Sequence, residues 1–291
     1  MWKRKSKKRR LVMVKKMLFT FLSIFLMLLI SNNVSAQQFL EDWYLDIDGP
    51  GGYSPIQINE YFDTTGSSYI NNTLLGGGPS FSFEEWGFFA THTHDSGTLY
   101  PWISDYELTA IFHANGTGTL GGSINFDDGY LEIYVDNSTD YGNITSSSTP
   151  GVYYGANDGI LIASFEVVSG SGIVDTTGIP NGEVTVVFES TYIRPGYFFD
   201  ENMNDLSNLP LYWVLGYSTT NASWVQNPRD ELVTELENFS GQTVNNDPPN
   251  DLVISGNGQY RLAVVPEPAT FMLLGAGMLM VGTFIRRKKS N

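Results

Sequence analysis

Two histidines, His92 and His94, stand two residues apart in the segment THTHD, and Asp95 follows them directly. On a β-strand, side chains two positions apart point to the same face. Both imidazoles could therefore bind one zinc or copper ion, and His113 is the remaining histidine that could supply a third ligand. We favour the alternative of a solvated strand edge, because two ligands alone rarely make a metal site.

Acidic residues precede glycines at two sharp turns, and these are the candidate calcium ligands. They are Asp46 and Asp48 in the first turn and Asp127 and Asp128 in the second. Carboxylate oxygens are the ligands that calcium prefers, but neither turn has the ligand spacing of an EF-hand. Residues 136–140, DNSTD, form a further oxygen-rich loop. Asx-turns, in which the carboxylates only fix the backbone, are the favoured alternative.

Aromatic side chains offer a second kind of site. Tyr100 and Trp102 flank a proline in a predicted loop, where their rings could stack on a sugar. Trp86 and Trp213 lie in predicted strands, and we assign them to the core. Tyr100 and Trp102 are therefore the candidate carbohydrate contacts.

Motifs of known catalytic classes are missing from the sequence, and we predict a protein that is not an enzyme. The adjacent Glu84 and Glu85 leave a glycosidase carboxylate pair open as an alternative. The segment 116–121 matches G-x-G-x-x-G, but β-type residues follow it and no basic group is near, so we interpret it as a hairpin turn. The chain has no cysteine, which excludes disulfides and thiol chemistry.

The elements that must position these residues are mostly strands. Period-2 alternation between turn residues predicts a mainly β fold, a single β-sandwich or jelly-roll-like domain. The predicted strands are 43–47, 80–83, 86–92, 107–114, 118–126, 130–135, 160–168, 183–193, 211–218 and 256–264.

One short amphipathic helix is predicted after residue 227. Asn227 would cap it, Pro228 would take the first helical position, and its apolar stripe would end before Gly241. We expect this helix to pack over an open end of the sandwich. Residues 241–250 read as a loop.

The N-terminal segment 1–36 is predicted to be a signal peptide. Nine basic residues precede or flank the apolar run 18–30, and Val34-Ser35-Ala36 supplies small residues before Gln37. A basic region, an apolar region and a small-residue site in this order define a secretory signal. We predict cleavage by signal peptidase between Ala36 and Gln37.

The C-terminal segment 265–291 has a different organisation. Val265, Pro266, Glu267 and Pro268 precede an apolar run, 271–285, which we predict to be a transmembrane helix. A basic stop-transfer cluster follows it, formed by Arg286, Arg287, Lys288 and Lys289. By the positive-inside bias, this cluster stays in the cytoplasm and residues 37–264 lie outside.

This tail resembles the PEP-CTERM tail of Gram-negative bacteria in its Val-Pro-Glu-Pro motif, its glycine-containing apolar helix and its basic end. The resemblance implies recognition by an exosortase, a membrane cysteine protease that processes the tail near Pro266–Pro268. Such systems accompany exopolysaccharide production. Residues 83–87, 124–126, 129–134 and 165–172 also resemble segments of flocculation-associated PEP-CTERM proteins, which implies a role in cell aggregation.

Charge separates the predicted ectodomain, 37–264, from the two processing segments. Thirteen of the 16 basic residues lie in those segments, and the ectodomain has three arginines against 30 acidic residues, a formal charge of −27. Such a surface repels nucleic acid, which excludes nucleic-acid binding, and attracts divalent cations. The composition therefore favours divalent cations or cationic partners, and calcium is a candidate ligand, although no cofactor is predicted.

These observations together predict an exported protein of the cell envelope or extracellular matrix of a Gram-negative-type bacterium. Its expected partners are signal peptidase and exosortase during export, the membrane before processing, and extracellular polysaccharide afterwards. The expected role lies in biofilm or flocculation. The alternatives are an extracellular polysaccharide-active enzyme and a carbohydrate-binding module.

Overall fold

The computed structural model describes residues 38–52, 55–95, 97–98, 106–143, 151–175, 181–208 and 212–265. Within this part of the chain, Gln38–Val264 forms one compact unit. The predicted signal peptide, 1–36, and the sorting tail from Pro266 onward lie outside the described residues, so the predicted domain boundaries stay predictions.

Thirteen strands and one α-helix make up the described chain, which confirms the mainly β class with one short helix. The helix, α1, spans Asp230–Ser240, and a short 3-10 helix spans Leu206–Asn208. The strands are β1 Gln38–Phe39, β2 Trp43–Leu45, β3 Ile56–Ile58, β4 Phe62–Leu74, β5 Ser80–His94, β6 Gly97–Thr98, β7 Glu107–Thr119, β8 Ser123–Asp136, β9 Ile160–Asp175, β10 Asn181–Ile193, β11 Phe198–Phe199, β12 Tyr212–Trp224 and β13 Asp251–Val265.

Eight long strands form one sheet that closes on itself. They follow in the order β4-β5-β7-β8-β9-β10-β12-β13, so each strand pairs with its sequence neighbours among the eight in an up-and-down meander. The last strand then pairs antiparallel with the first, from Asp251 opposite Asn71 to Tyr260 opposite Phe62. The sheet therefore has an enclosed inner face and an outer face.

Alternation along the strands divides the apolar residues between these faces. In β5, Phe81, Phe83 and Phe89 belong to the larger, inner core, whereas Trp86 and Phe88 belong to a second cluster. Because successive side chains of a strand point to opposite faces, the second cluster lies on the outside of the closed sheet.

A three-stranded sheet, in the order β11-β2-β3, extends the inner core at one end of the closed sheet. Trp43 in β2 meets the ring of Phe62 edge-on, with 5.0 Å between ring centroids, and stacks on Phe198 at 6.1 Å. Phe62 is the first residue of β4. The small sheet is thereby packed on the end of the closed sheet at which β4 begins.

Helix α1 starts two residues later than the sequence suggested. Arg229 takes the N-cap position without a side-chain capping hydrogen bond, so the predicted cap Asn227 and first helical residue Pro228 are wrong. The C-terminal end agrees with the prediction: Gly241 has φ 69° and donates its N–H to the carbonyl oxygen of Glu237 at 2.8 Å. Glycine adopts this left-handed conformation without strain.

The helix covers the outer face of the sheet, which corrects the expectation that it would cover an open end. Leu232 and Leu236 are buried in the same cluster as Trp86. Phe239 at the end of the helix packs on Phe88, with 5.4 Å between ring centroids. The outward aromatics of β5 need apolar cover, and the helix stripe supplies it.

The turn between β7 and β8 shows that the predicted strand 118–126 is wrong and that the predicted hairpin turn at 116–121 is right. The predicted strand 118–126 contains this turn, in which Gly121 has φ 68° and Gly122 donates its N–H to the carbonyl oxygen of Thr119 at 2.9 Å. The G-x-G-x-x-G segment, 116–121, is therefore part of a hairpin, as predicted.

None of the described helices is long and apolar enough to cross a membrane.

A substitution at Gly66 tests how tightly the side chains pack around the closing strand β4. A Cβ atom at this position would overlap the carbonyl oxygen of Phe88 and the ring of Phe89. We expect Gly66→Ala to lower the free energy of unfolding by about 1–3 kcal/mol, the usual cost of overpacking. The control Gly78→Ala adds the same methyl group in open space at a turn. Urea denaturation measures both, and equal effects of the two changes would contradict the described packing of β4.

Candidate functional site

The closed sheet encloses a cavity of about 150 Å³. Apolar side chains from the inner face make up most of its lining, and Pro248 and Pro249 reach it from the loop after α1. The lining side chains with a polar group are those of Ser68, Asn72, Glu85 and Tyr260. The cavity is thus an apolar space with a small number of hydrogen-bonding groups, the usual chemistry of a small-molecule site.

Glu85 is the one carboxyl group among the described lining residues. It lies in β5 and is buried, and the hydroxyl of Ser68 donates to its Oε1 at 2.7 Å. Burial raises the pKa of Glu85 to about 7, while the Ser68 hydrogen bond acts in the opposite direction. The described residues give its second oxygen, Oε2, no hydrogen bond.

Glu84, the preceding residue, points to the other side of β5. It is exposed, and the side-chain amide of Gln242 donates to its Oε2 at 3.3 Å. A glycosidase pair needs both carboxyl groups on one substrate. Glu84 and Glu85 face opposite sides of the sheet and cannot form such a pair.

A second candidate site is a carboxylate cluster formed by Glu107, Asp136 and Asp140. Their oxygens lie within 4.8 Å of one another. Glu107 begins β7, Asp136 ends the neighbouring strand β8, and Asp140 lies in the loop that follows. The side chain of Glu107 accepts the N–H groups of Asp140 at 3.3 Å and Tyr141 at 3.1 Å, which ties this loop to β7.

Burial and neighbouring negative charges raise the pKa values of carboxyl groups in and near this cluster. Burial, with the charges of Asp140 and Asp136, raises the pKa of Glu107 to about 7. Burial and the charges of the same two aspartates raise the pKa of the nearby Asp158 to about 6. One oxygen of Asp140, Oδ1, is buried without a hydrogen-bond partner. An oxygen-rich group of this kind has the ligand chemistry of a calcium site, although calcium takes six to eight oxygens.

The acidic turns named from the sequence have simpler surroundings. Asp46 is buried and hydrogen-bonded to Asp48, and burial raises the pKa of Asp46 to about 7. Asp127 and Asp128 are exposed, and Oδ1 of Asp128 accepts the N–H of the next residue, Gly129, at 2.8 Å. Neither pair belongs to a described group of three or more acidic or histidine ligands. Calcium binding at these two turns stays a prediction.

The structure separates the histidines that could have formed a transition-metal site. His92 and His94 lie near the end of β5, where Nδ1 of His94 is 3.7 Å from Asp95. His113 in β7 stands opposite Trp86, six residues along β5 from His92, or roughly 20 Å. His113 therefore cannot be a third ligand for the other two.

The remaining predicted sites fall on the edge of the described chain or beyond it. Val265 is the last residue of β13. The other predicted site residues lie outside the described residues. They are Tyr100 and Trp102, the cleavage site Ala36–Gln37, the motif residues Pro266, Glu267 and Pro268, and the basic cluster Arg286, Arg287, Lys288 and Lys289. The sugar contacts and the cleavage site stay predictions.

Comparison with known proteins identifies the tail and not the body. The family model of the PEP-CTERM protein-sorting motif matches residues 264–289. Neither a curated protein nor a solved structure matches the chain. The chain thus carries a PEP-CTERM sorting domain in residues 264–289. The motif implies export and targeting by exosortase to the bacterial cell surface or the extracellular space.

Sequence reasoning missed Glu85 as an interior group and Glu107 as a cluster member. A signal existed for Glu85, because Phe81 and Phe83 share its alternation phase and mark the apolar face of β5. Glu107 had no comparable signal, since its partners Asp136 and Asp140 join it only through the β7–β8 pairing.

The raised pKa of Glu107 predicts that the free energy of unfolding decreases as the pH rises. Its folded-state pKa of about 7 lies above the ordinary 4.5, so the folded protein retains a proton that the unfolded chain loses. Its stabilising contribution is therefore complete below pH 4.5 and is lost as the pH rises to about 7. We expect Glu107→Gln to remove ~2 kcal/mol of this decline, given about 1.4 kcal/mol for each pKa unit and partial exposure.

Denaturation at several pH values measures this decline. Glu84→Gln is the control, because Glu84 is an exposed carboxylate outside the cluster. A decline of unchanged size in Glu107→Gln would contradict the assigned pKa of Glu107.

Proposed function

We propose that this chain is a non-enzymatic matrix protein of the bacterial surface, which exosortase sorts and which associates with exopolysaccharide in biofilms or flocs. The observation that supports this proposal most directly is the sorting motif at residues 264–289, which begins at the end of the last strand of the β domain. Exosortase systems accompany exopolysaccharide production, so a sorted protein meets the polymer at the cell surface.

The composition of the body fits association with a polymer rather than with nucleic acid or an anionic membrane. The chain between the processing segments contains 30 acidic residues, three arginines and no lysine. A protein of this charge binds an acidic polysaccharide only if cations lie between the two. We propose calcium as that cation, since it coordinates several carboxylates at once.

The enzyme alternative receives less support from the described geometry. Glu84 and Glu85 point to opposite faces, and Glu107 has its carboxylate engaged by two backbone N–H groups of the following loop. A simple carbohydrate-binding module is the other alternative, and its candidate contacts are Tyr100 and Trp102. A polysaccharide-active enzyme would release sugars from purified polymer, and a binding module would lose glycan affinity when Trp102 is replaced.

Removal of the tail tests the sorting step. We expect a chain that ends before Pro266 to be exported but no longer retained at the surface, and flocculation to fall with it. A second variant, in which Pro266, Glu267 and Pro268 become alanines, keeps the apolar run and the basic end. If the proline-containing motif directs processing, this variant accumulates in the membrane unprocessed. Surface retention and flocculation equal to those of the wild type in both variants would overturn the proposal.

Chelation tests the matrix step independently of sorting. We expect the processed protein to co-sediment with an acidic exopolysaccharide in calcium, and this fraction to fall several-fold when a chelator is added, because like charges then repel. A neutral polysaccharide of similar length is the control and should show no calcium dependence. Equal co-sedimentation with and without calcium would show that the carboxylates do not bridge to the polymer.

A further inference from the structure

We propose that the interior of the closed sheet is a binding site for a small, neutral, mostly apolar molecule of about one ring that carries a single hydrogen-bond donor, received by Glu85. This inference goes beyond the matrix role and does not depend on it. It rests on the size of the cavity, on its apolar lining and on Oε2 of Glu85, to which the described residues donate no hydrogen bond.

The size of the cavity sets the size of the ligand. The cavity has a volume of about 150 Å³. An engineered cavity of about that volume, lined by leucine, isoleucine and phenylalanine, stays dry and binds benzene. The cavity here has the same kind of lining, with the rings of Phe83, Phe112 and Phe126 and aliphatic side chains from β8, β10 and β13. A single ring is therefore the size of molecule that fills it.

Glu85 sets the polarity of the ligand. Ser68 occupies one oxygen of its carboxyl group, and the described residues leave Oε2 without a hydrogen bond. A pure hydrocarbon in the cavity would leave Oε2 without a hydrogen bond, which is costly for an interior oxygen. A carboxylate ligand would repel Glu85 whenever Glu85 is ionised, and a carboxylate or an ammonium group would have to bring its charge into an apolar space. A neutral hydroxyl or amino group on a ring avoids these costs, because it donates a hydrogen bond to Oε2 and carries no charge.

The loop after α1 forms part of the cavity lining. Pro248 and Pro249 line it, and the adjacent Asn250 accepts the backbone N–H of Asn72 in β4 at 2.7 Å. Asp251 holds this loop by accepting N–H groups from Asn245 at 2.7 Å and Asp247 at 2.9 Å. The lining thus includes a loop that is fixed by hydrogen bonds and joined to the strands.

Phenol and toluene form a matched pair of probes, because a hydroxyl in one replaces a methyl group of similar size in the other. The full chain in lipid nanodiscs is titrated with each probe, and calorimetric unfolding midpoints give the affinities, since a ligand of the folded state raises the midpoint. We expect phenol to bind the wild-type protein about tenfold more tightly than toluene. We expect Glu85→Met, an apolar side chain of similar length, to abolish that preference.

Two further variants separate the cavity from other binding. Glu84→Gln changes the neighbouring carboxylate on the outer face and should keep the wild-type preference. Ile254→Phe, a substitution in the cavity lining opposite Ser68, should weaken both probes at least tenfold while Glu85 is intact. This variant also keeps the test valid if Glu85→Met does not fold.

Several outcomes would overturn the inference. Affinities for phenol and toluene within twofold of each other in the wild type would show that Glu85 does not receive the donor. Midpoints that neither probe raises would show that the cavity does not bind a ring. Undiminished binding in Ile254→Phe would place the probes elsewhere on the protein or in the lipid.

Discussion

The pairing of β13 with β4 is the constraint on which the rest of the structure depends. Ten residue pairs, from Asp251–Asn71 to Tyr260–Phe62, join the last long strand to the first. Without this pairing, the meander would be an open sheet with two unpaired edges and an apolar inner face exposed to water. With it, all eight long strands have a neighbour on both sides, and the inner aromatics form one core. The chain has no cysteine, so this core and its hydrogen bonds hold the domain together without disulfides.

Closure also explains the composition of the inner face, where glycines stand beside large rings. Cβ atoms at Gly66 and Gly116 would overlap the rings of Phe89 and Phe83, respectively, so the glycines provide the space that the rings fill. The filling is incomplete, and the remaining cavity holds Glu85, a carboxyl group whose burial opposes folding when it is ionised. Ser68 satisfies one oxygen, but burial still raises the pKa of Glu85 to about 7. A buried group of this kind needs a partner, and a cavity beside it gives that partner room.

The sequence predicts the fold class well because alternation and turn chemistry are local signals. Segments such as LEIYV and VTVVF lie within β8 and β10, as their period-2 pattern indicates. Strand β4, with the sequence FDTTGSSYINNTL, was not predicted, because its exposed and inner positions are mostly small and polar. Closure depends on that strand and on pairing between positions about 190 residues apart, which no local pattern encodes. The carboxylate cluster depends on the pairing of β7 with β8, which the separate strand patterns do not encode. The interior position of Glu85, by contrast, could have been derived from its alternation phase with Phe81 and Phe83.

The shortage of cations in the body has a structural consequence beyond solubility. Three arginines cannot pair with 30 acidic residues, and several of the described carboxylates instead accept backbone N–H groups. Asp95 accepts from Asn59 and Glu60, Asp200 from Asn202 and Asn204, and Asp251 from three residues of the loop before β13. Each of these bonds fixes a loop or turn and consumes an orphan donor, which a lysine–carboxylate pair would not do. The acidic composition is therefore compatible with ordered loops, and the negative charge that remains on the surface is available for cations from the surrounding medium.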